Sequence, residues 1–588
     1  MINREAVLHI PRSSYSYPYA ERGFCFRIRT AKGNVKKAEV MVGSFYGWEK
    51  RDTFLMEKVA TDQLFDYCEY LYDCRADNRL AYCFRISDGE EELLYGENGF
   101  FVEKDTDVDH DRTDFLFFKY STINPADIHR KPSWVGSANF YQIFVERFCN
   151  GDPALSPENV QPWGTEPTRS NFMGGDLPGI IQHLDYLQEL GVTALYLTPI
   201  FEGGSNHKYD TIDYGAIDPH FGDEKTLREL VEKAHARGIR VVLDAVFNHC
   251  GFYFPQFQDV LKNGENSPYK NWFRAKEFPL STNPTNYESF AMGPFMPKLN
   301  LSDEGMRSYI LENVEKWTRC GIDGWRLDVA DAVECVFWRD FRRVVRRVNP
   351  EAIIIGECWW NSDAWLRGDM WDGVMNYPVE RPSELYFARG TISAQDFAER
   401  VNNVRMRYTR MANECMLNLL DSHDAPRFIN LCGGDKRRLK NAAAFLFTYI
   451  GMPCTYYGTE IGMTGDNDPD DRKCFDWNRE NWDMDLWQHY HKLMVLRRDN
   501  QVVQYGDVRL WAENEMLVLR RFIGMGRLFR MSVVTVVNNT EEDRTVSLEN
   551  AGGMTDILTD EVFPLADGKV AVTVPAMSAR VLKTNPLF

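Results

Sequence analysis

The 588-residue chain is short of several things, and each shortage closes a class of function. It has no run of about 18 apolar residues, so no helix that spans a bilayer is expected. Its first ten residues, Met-Ile-Asn-Arg-Glu-Ala-Val-Leu-His-Ile, hold no apolar segment of signal-peptide length. Positive charge is scarce. Lys and Arg number 68 against 86 Asp and Glu, a net −18, which argues against nucleic acid and against an anionic membrane surface. No Cys-x-x-Cys pair occurs. The 13 cysteines are scattered and odd in number, and Cys68, Cys74, Cys83 and Cys149 follow no metal or disulfide spacing. They read as reduced thiols, and the expectation is a cytoplasmic protein. No glycine-rich phosphate or dinucleotide loop follows any strand-like run, and no serine or cysteine nucleophile elbow is present.

What is there supports large cores: 44% of residues are hydrophobic and 13% aromatic. The length predicts about three or four domains. Residues 1–122 read as an N-terminal β-sandwich, with short β-branched and aromatic runs at 24–29, 38–42 and 81–86 between turn signals. An acidic segment at 104–113 reads as a solvated loop. From 131 to 503 strands alternate with helices. Strands are expected at 140–144, 194–200, 240–247, 324–330, 352–357, 374–377, 416–421 and 454–457. Helices are expected at 180–190, 224–237, 303–320, 334–348, 391–410 and 437–450. Residues 249–300 break the rhythm and read as an inserted subdomain. Eight strands with intervening helices argue a closed (β/α)₈ TIM barrel over an open sheet. Residues 504–588 return to short strands, a smaller C-terminal β-sandwich. The fold class is therefore multidomain, a central barrel between two β domains.

The stretch Gly324-Trp-Arg-Leu-Asp-Val-Ala330 organises the rest. Trp325, Leu327 and Val329 alternate with Arg326 and Asp328. Either this is an edge strand with a solvated face, or it is a buried barrel strand whose arginine holds a carboxylate ionised. In a barrel of this kind the C-terminal strand ends build the site. Those ends carry Asp244 and His249, Arg326 and Asp328, Glu357 and Trp359, and His423 and Asp424. Each alone has a plain explanation: Asp244 or Asn248 as a cap, His249 as a satisfied buried histidine, Asp421 as a turn former. Together they place several carboxylates, an arginine and two histidines at one mouth. Carboxylates without a metal or a nucleophile elbow match glycoside hydrolysis, and Tyr209, Phe290, Trp359 and Tyr377 are aromatics that could stack on sugar rings.

Four stretches carry a resemblance: Asp244-Ala-Val-Phe-Asn-His249, Gly324-Trp-Arg-Leu-Asp328, Gly356-Glu357 and Leu420-Asp-Ser-His-Asp424. With them the chain resembles the α-amylase family, glycoside hydrolase family 13. The N-terminal β domain, which would be carbohydrate-binding-module-like, Met296-Pro-Lys-Leu299 and Asn139-Phe-Tyr-Gln-Ile-Phe-Val-Glu-Arg-Phe148 resemble its cyclomaltodextrinase, neopullulanase and maltogenic amylase group. The resemblance implies a retaining α-glucan hydrolase acting on cyclodextrins, maltooligosaccharides, pullulan or starch, with maltose as main product. A transglycosylase or an α-1,6-cleaving relative stays open beside it, and a non-catalytic glucan-binding protein would lack one of the acids. Asp328 is implied as nucleophile, Glu357 as acid then base, and Asp424 as third acid. Arg326 would keep Asp328 ionised, and His249, His423 and Tyr209 would hold the sugar. Asp244, Phe290, Trp359 and Tyr377 complete the substrate-binding set. No cofactor is required by it. A structural calcium at Asn150, Asp152, Gly174 and Asp176 is left open, because the chain reads Ala154-Leu-Ser156 where further oxygen ligands would stand. The group also implies a homodimer, with one N-terminal domain over the partner's site.

Overall fold

The computed structural model of the chain describes residues 1–74, 77–102, 116–524 and 531–585. The acidic segment 104–113 lies outside the described residues. The N-terminal region is two antiparallel sheets. One runs Ser16–Ala20, Gly23–Ala31, Phe65–Asp73, Glu57–Thr61. The other runs Gly47–Leu55, Lys37–Ser44, Leu80–Ser87, Glu92–Gly96, Gly99–Phe101, with Phe118–Tyr120 paired to Leu80–Ser87. Alternate residues Phe24, Phe26 and Ile28 meet Val40, Tyr82 and Phe84 between the sheets in one core. Period-2 burial of large apolar side chains is the reason this segment folds as a sandwich.

The centre is an eight-stranded parallel barrel. Its strands in chain order are Phe140–Ile143, Ala194–Leu197, Arg240–Ala245, Gly324–Leu327, Ile353–Gly356, Gly373–Val374, Leu417–Asn418 and Met452–Tyr456. Each pairs with the next, the first pairs with the eighth, and one parallel rung, Met375 with Leu417, joins the sixth to the seventh. Phe140, Tyr196, Val242, Ile355, Leu417 and Met452 fill the lumen. Trp325 and Leu327 point outward into the helical layer, where the Trp325 indole donates to Thr318 Oγ1 at 3.1 Å. Gly324 is required where it stands, because a Cβ there would lie 2.4 Å from Ile353 O of the adjacent strand.

Several elements differ from expectation. The sixth strand ends at Val374, and Tyr377–Ser383 is a helix with Pro378 in its first turn, so 374–377 is not one strand. The seventh is two residues rather than six. The helix expected at 180–190 is two, Leu177–Gln182 and Leu184–Leu190, broken at His183. A hairpin of Phe201–Gly203 and Thr211–Ile217 follows the second strand, where none was expected. The inserted stretch holds one helix, Pro255–Asn263, and otherwise short turns and isolated bridges.

The C-terminal region packs a six-stranded sheet on a three-stranded one. Val518, Val534 and Leu582 from the first meet Val546, Leu548 and Val572 from the second. The N-terminal sandwich is bolted to the barrel helix Ala394–Met406. Asn402 Nδ2 donates to Thr61 O at 3.0 Å, and Arg405 donates to Val59 O at 2.8 Å. Arg27 Nη1 reaches Met406 O at 2.7 Å.

Candidate active site

The fourth strand delivers Arg326 and Asp328 to the barrel mouth. Arg326 is fully buried. Its Nη1 lies 3.1 and 3.2 Å from the two Asp244 carboxylate oxygens and 2.9 Å from Asp328 Oδ1. Its Nη2 lies 3.1 Å from Glu357 Oε1. One guanidinium therefore holds three carboxylates from the third, fourth and fifth strand ends. The charge pair that looked costly in the sequence is compensated by three carboxylates within ion-pair distance, as a buried ion must be.

Asp244 sits deeper. Its Oδ2 accepts from Tyr196 OH at 2.7 Å and from Tyr209 OH at 2.8 Å. Burial pushes this carboxyl up, and Arg326 and the two tyrosines pull it back. Donors on both oxygens leave no room for a proton, so the ionised form is the one that fits. Asp328 behaves otherwise than expected. Burial and the Glu357 carboxylate push it well above the usual range, and Arg326 does not win against them.

Glu357 is fixed by the backbone that follows Asp328. Val329 has φ 45°, a left-handed conformation rare for a β-branched residue, and its N–H donates to Glu357 Oε2 at 2.9 Å. Such a conformation costs on the order of 1–3 kcal/mol and persists where the surroundings enforce it. The Trp359 indole N–H donates to Glu357 Oε1 at 3.2 Å.

His423 is buried, and burial with Arg472 and Arg326 nearby drives its pKa well below 6.5. Gln142 Nε2 donates to His423 Nδ1 at 2.7 Å, which puts the imidazole proton on Nε2. That nitrogen is 2.6 Å from Tyr209 OH and 3.2 Å from Asp424 Oδ2. His249 is also neutral, lowered by burial to about 4, and its Nε2 is buried without a hydrogen-bond partner. Phe290 stacks on its ring at 4.9 Å.

These groups meet at a cavity of about 700 Å³. Asp328, Glu357, Asp424, Tyr209, His249, Phe290 and Trp359 line it. Asp244, Arg326 and His423 lie beneath its floor. Tyr377 does not reach it. Its ring is buried under Trp359, stacked at 3.6 Å and 4°, so it carries Trp359 rather than a sugar. Asp421, read in the sequence as a turn former, is a buried acceptor for Phe428 N and Thr459 Oγ1, at 3.0 and 2.9 Å.

Residues the sequence reading did not single out also line the cavity: His207, Asp331, Trp360, Asp468 and Arg472. Arg472 donates to His423 O at 2.9 and 2.7 Å, lies 3.5 Å from Asp424 Oδ1 and pairs with Asp468 at 3.0 Å. The signal that could have found it is the charged run 466–472, which stands on the loop after the eighth strand.

The residues suspected of holding calcium do come together, but both oxygens of Asp176 and one of Asp152 already accept from backbone amides. Asp176 accepts from Gly151 N, Gly179 N and Asp152 N at 3.0, 2.7 and 2.8 Å and caps the helix Leu177–Gln182. Asp152 caps Ala154 N at 3.1 Å. Gly174 has φ 81°, and a Cβ there would lie 2.5 Å from Asn150 Nδ2. Only Asn150 Oδ1 among these side-chain oxygens is a buried atom without a partner. A calcium ion takes six to eight oxygens, so this donor set does not fit one. Among the described residues no cluster of three or more His, Cys, Asp or Glu has metal-holding geometry.

The chain is similar to known proteins along nearly its whole length. The family model "Alpha amylase, catalytic domain" matches residues 142–489, and "Alpha amylase, N-terminal ig-like domain" matches residues 1–121. A "Cyclomaltodextrinase" of Geobacillus thermopakistaniensis (strain MAS1) is 43% identical, covering 98% of this chain and 98% of its own. A "Neopullulanase 2" of Thermoactinomyces vulgaris is 41% identical, covering 98% and 99%. A solved "Cyclomaltodextrinase" superposes with a TM-score of 0.93 at 39% identity, covering 100% of each chain.

Proposed function

Starting from the α-amylase family, to which this chain belongs, we propose that it hydrolyses α-1,4-glucosidic bonds of cyclodextrins, maltooligosaccharides, pullulan or starch, releasing mainly maltose. Asp328 attacks the anomeric carbon while Glu357 gives its proton to the departing glycosidic oxygen. A covalent glycosyl-enzyme results. Glu357 then takes a proton from water, which displaces Asp328 and restores the original anomeric configuration. Asp424, on the open side of the cavity, holds sugar hydroxyls. Tyr209 offers its ring beneath the sugar, and the partnerless Nε2 of buried His249 meets a sugar hydroxyl. Arg326, Asp244 and His423 act from beneath and keep this set in place.

One observation carries the reading: both arms of a single guanidinium touch Asp328 and Glu357, at 2.9 and 3.1 Å, under a cavity sized for sugar. That favours the close carboxylate spacing of the retaining class, about 5–5.5 Å, over the about 6.5–9.5 Å of the inverting class. Glu357 is placed to supply the proton the leaving oxygen needs. All thirteen cysteines stand unpaired, which supports a reducing, cytoplasmic setting. A homodimer is carried here by family resemblance, and sedimentation as a clean monomer at micromolar concentration would remove it.

The test is to measure rates on β-cyclodextrin, pullulan and starch side by side, with chromatography of the products. Maltose from at least one is expected. No reducing sugar from any of the three overturns the reading. A product set dominated by transferred chains, or by α-1,6 cleavage, would reassign it to a transglycosylase or a debranching relative.

A further inference from the structure

A second cavity, of about 420 Å³, shares Trp359 and Trp360 with the active-site cavity. Its far wall is the loop 62–65 of the chain's own N-terminal domain, and Glu399 and Asn403 of the helix Ala394–Met406 line it as well. Two side chains here are unusually bare for their type: Trp360 is 61% exposed and Leu64 is 67% exposed. A large apolar surface left open beside a catalytic cleft calls for an occupant.

The groove is preformed. Asp62 Oδ1 accepts from Leu64 N and Phe65 N at 2.9 and 2.7 Å, and its Oδ2 accepts from Tyr67 OH at 2.8 Å and Asn403 Nδ2 at 2.9 Å. The loop tip is thereby tied both to its own sheet and to the barrel. The remaining rim includes Gln63, Asn361 and Arg400. An open indole ringed by the amides of Gln63, Asn361 and Asn403 and the guanidinium groups of Arg381, Arg400 and Arg407 suits a pyranose. The apolar C–H face lies on the ring, and hydroxyls meet the amides. Continuity with the catalytic cavity through Trp359 and Trp360 selects the occupant: the outer part of the same chain that is being cut.

We propose that the groove between Trp360 and the loop 62–65 binds outer glucose units of a long α-glucan whose scissile bond lies at Asp328 and Glu357. The N-terminal domain then sets chain-length preference within one chain. This rests on the α-glucan reading of the active site.

The test compares kcat/KM on maltotriose with that on amylose for the full-length enzyme. The double variant Gln63→Ala with Leu64→Ser alters exposed side chains remote from the acids. It should keep maltotriose turnover and lose roughly fivefold on amylose, through KM. Trp360→Ala should lose more on amylose than on maltotriose. Equal losses on both substrates, or none on amylose, overturn the proposal. So does a changed sedimentation coefficient in the double variant with an unchanged chain-length profile, which would make the groove a contact between copies. A wild-type enzyme inert on both substrates instead sinks the α-glucan reading itself, and this inference with it.

Discussion

Replacing Asp244 by Asn removes one negative charge from beneath the reacting pair while keeping the shape of the side chain. Asp244 and Asp328 both lie within 3.1 Å of the same Arg326 nitrogen, so their oxygens are no more than about 6 Å apart. At an effective dielectric of about 20, two charges at that distance repel by about 2.8 kcal/mol, equivalent to about two pH units. In fully water-like surroundings the figure falls to about 0.7 kcal/mol, or about half a unit. Asp244 is among the groups that raise Asp328, so its loss must lower the proton affinity of Asp328. The acid limb of kcat/KM against pH, which reports the free enzyme, is therefore expected to move to lower pH by about 0.5–2 units. The variant should also be slower at its optimum, because Tyr196 and Tyr209 lose a charged acceptor. The assay is initial rate on β-cyclodextrin from pH 3.5 to 8, with circular dichroism to show that the fold is kept. An acid limb that stays in place, or moves up, refutes the charge argument whatever happens to kcat.

Asp328→Asn should cut turnover by roughly 10⁴-fold or more, with little change in Tm, and near-normal rates would remove Asp328 from the nucleophile role. His9 is buried between Arg27 O and Tyr82 OH, at 2.7 and 2.9 Å, and is lowered to about 3 from 6.5 by burial. The unfolded chain therefore takes up the proton first. Stability is complete above pH 6.5 and drains at about 1.4 kcal/mol per unit as pH falls toward 3. His9→Gln should be less stable at pH 7 yet show a shallower fall in Tm between pH 6.5 and 4.5, and a slope equal to the wild type would count against the assignment. Prolonged EDTA should leave Tm and activity unchanged, because both oxygens of Asp176 and one of Asp152 already serve backbone amides. A fall of several degrees, restored by calcium, would contradict the fit argued above.

The carboxylates that meet at the barrel mouth were legible in the sequence because strand ends are marked by apolar runs that stop, and the chemistry proposed here demands carboxylates at strand ends. Asp328 and Glu357 stood out in this way. Arg472 did not, since its position depends on how the long loop after the eighth strand folds back over His423, and no periodicity encodes that return. The burial of Tyr377 beneath Trp359 is not legible for a similar reason. An aromatic at a barrel mouth looks the same in sequence whether it faces solvent or carries another ring, and only the stacking of Trp359 on it decides. The proton state of Asp328 was also out of reach. Adjacency to Arg326 can be read from a two-residue spacing, but the opposing effects of burial and Glu357 arise from a different strand. The short sixth strand was overestimated because Val374-Met-Asn-Tyr377 is apolar enough for a strand, and the helical turn started by Pro378 claims its end.

The single rung between Met375 and Leu417 has a consequence for how the barrel breathes. Every other neighbouring pair of barrel strands shares at least two paired positions, whereas this boundary has one rung, one backbone bond from Asn376 N to Leu417 O at 2.8 Å and one amide contact from Asn376 to Asn418 at 2.8 Å. The cylinder thus has a zip, and hydrogen exchange should find its fastest barrel amides there. Asp424 stands just past one side of that zip, while Glu357 hangs from the strand next to the other. Slow parting of the zip would change the distance between the third acid and the reacting pair without disturbing the pair, so a fluctuation in the scaffold becomes a fluctuation in how firmly the sugar is gripped.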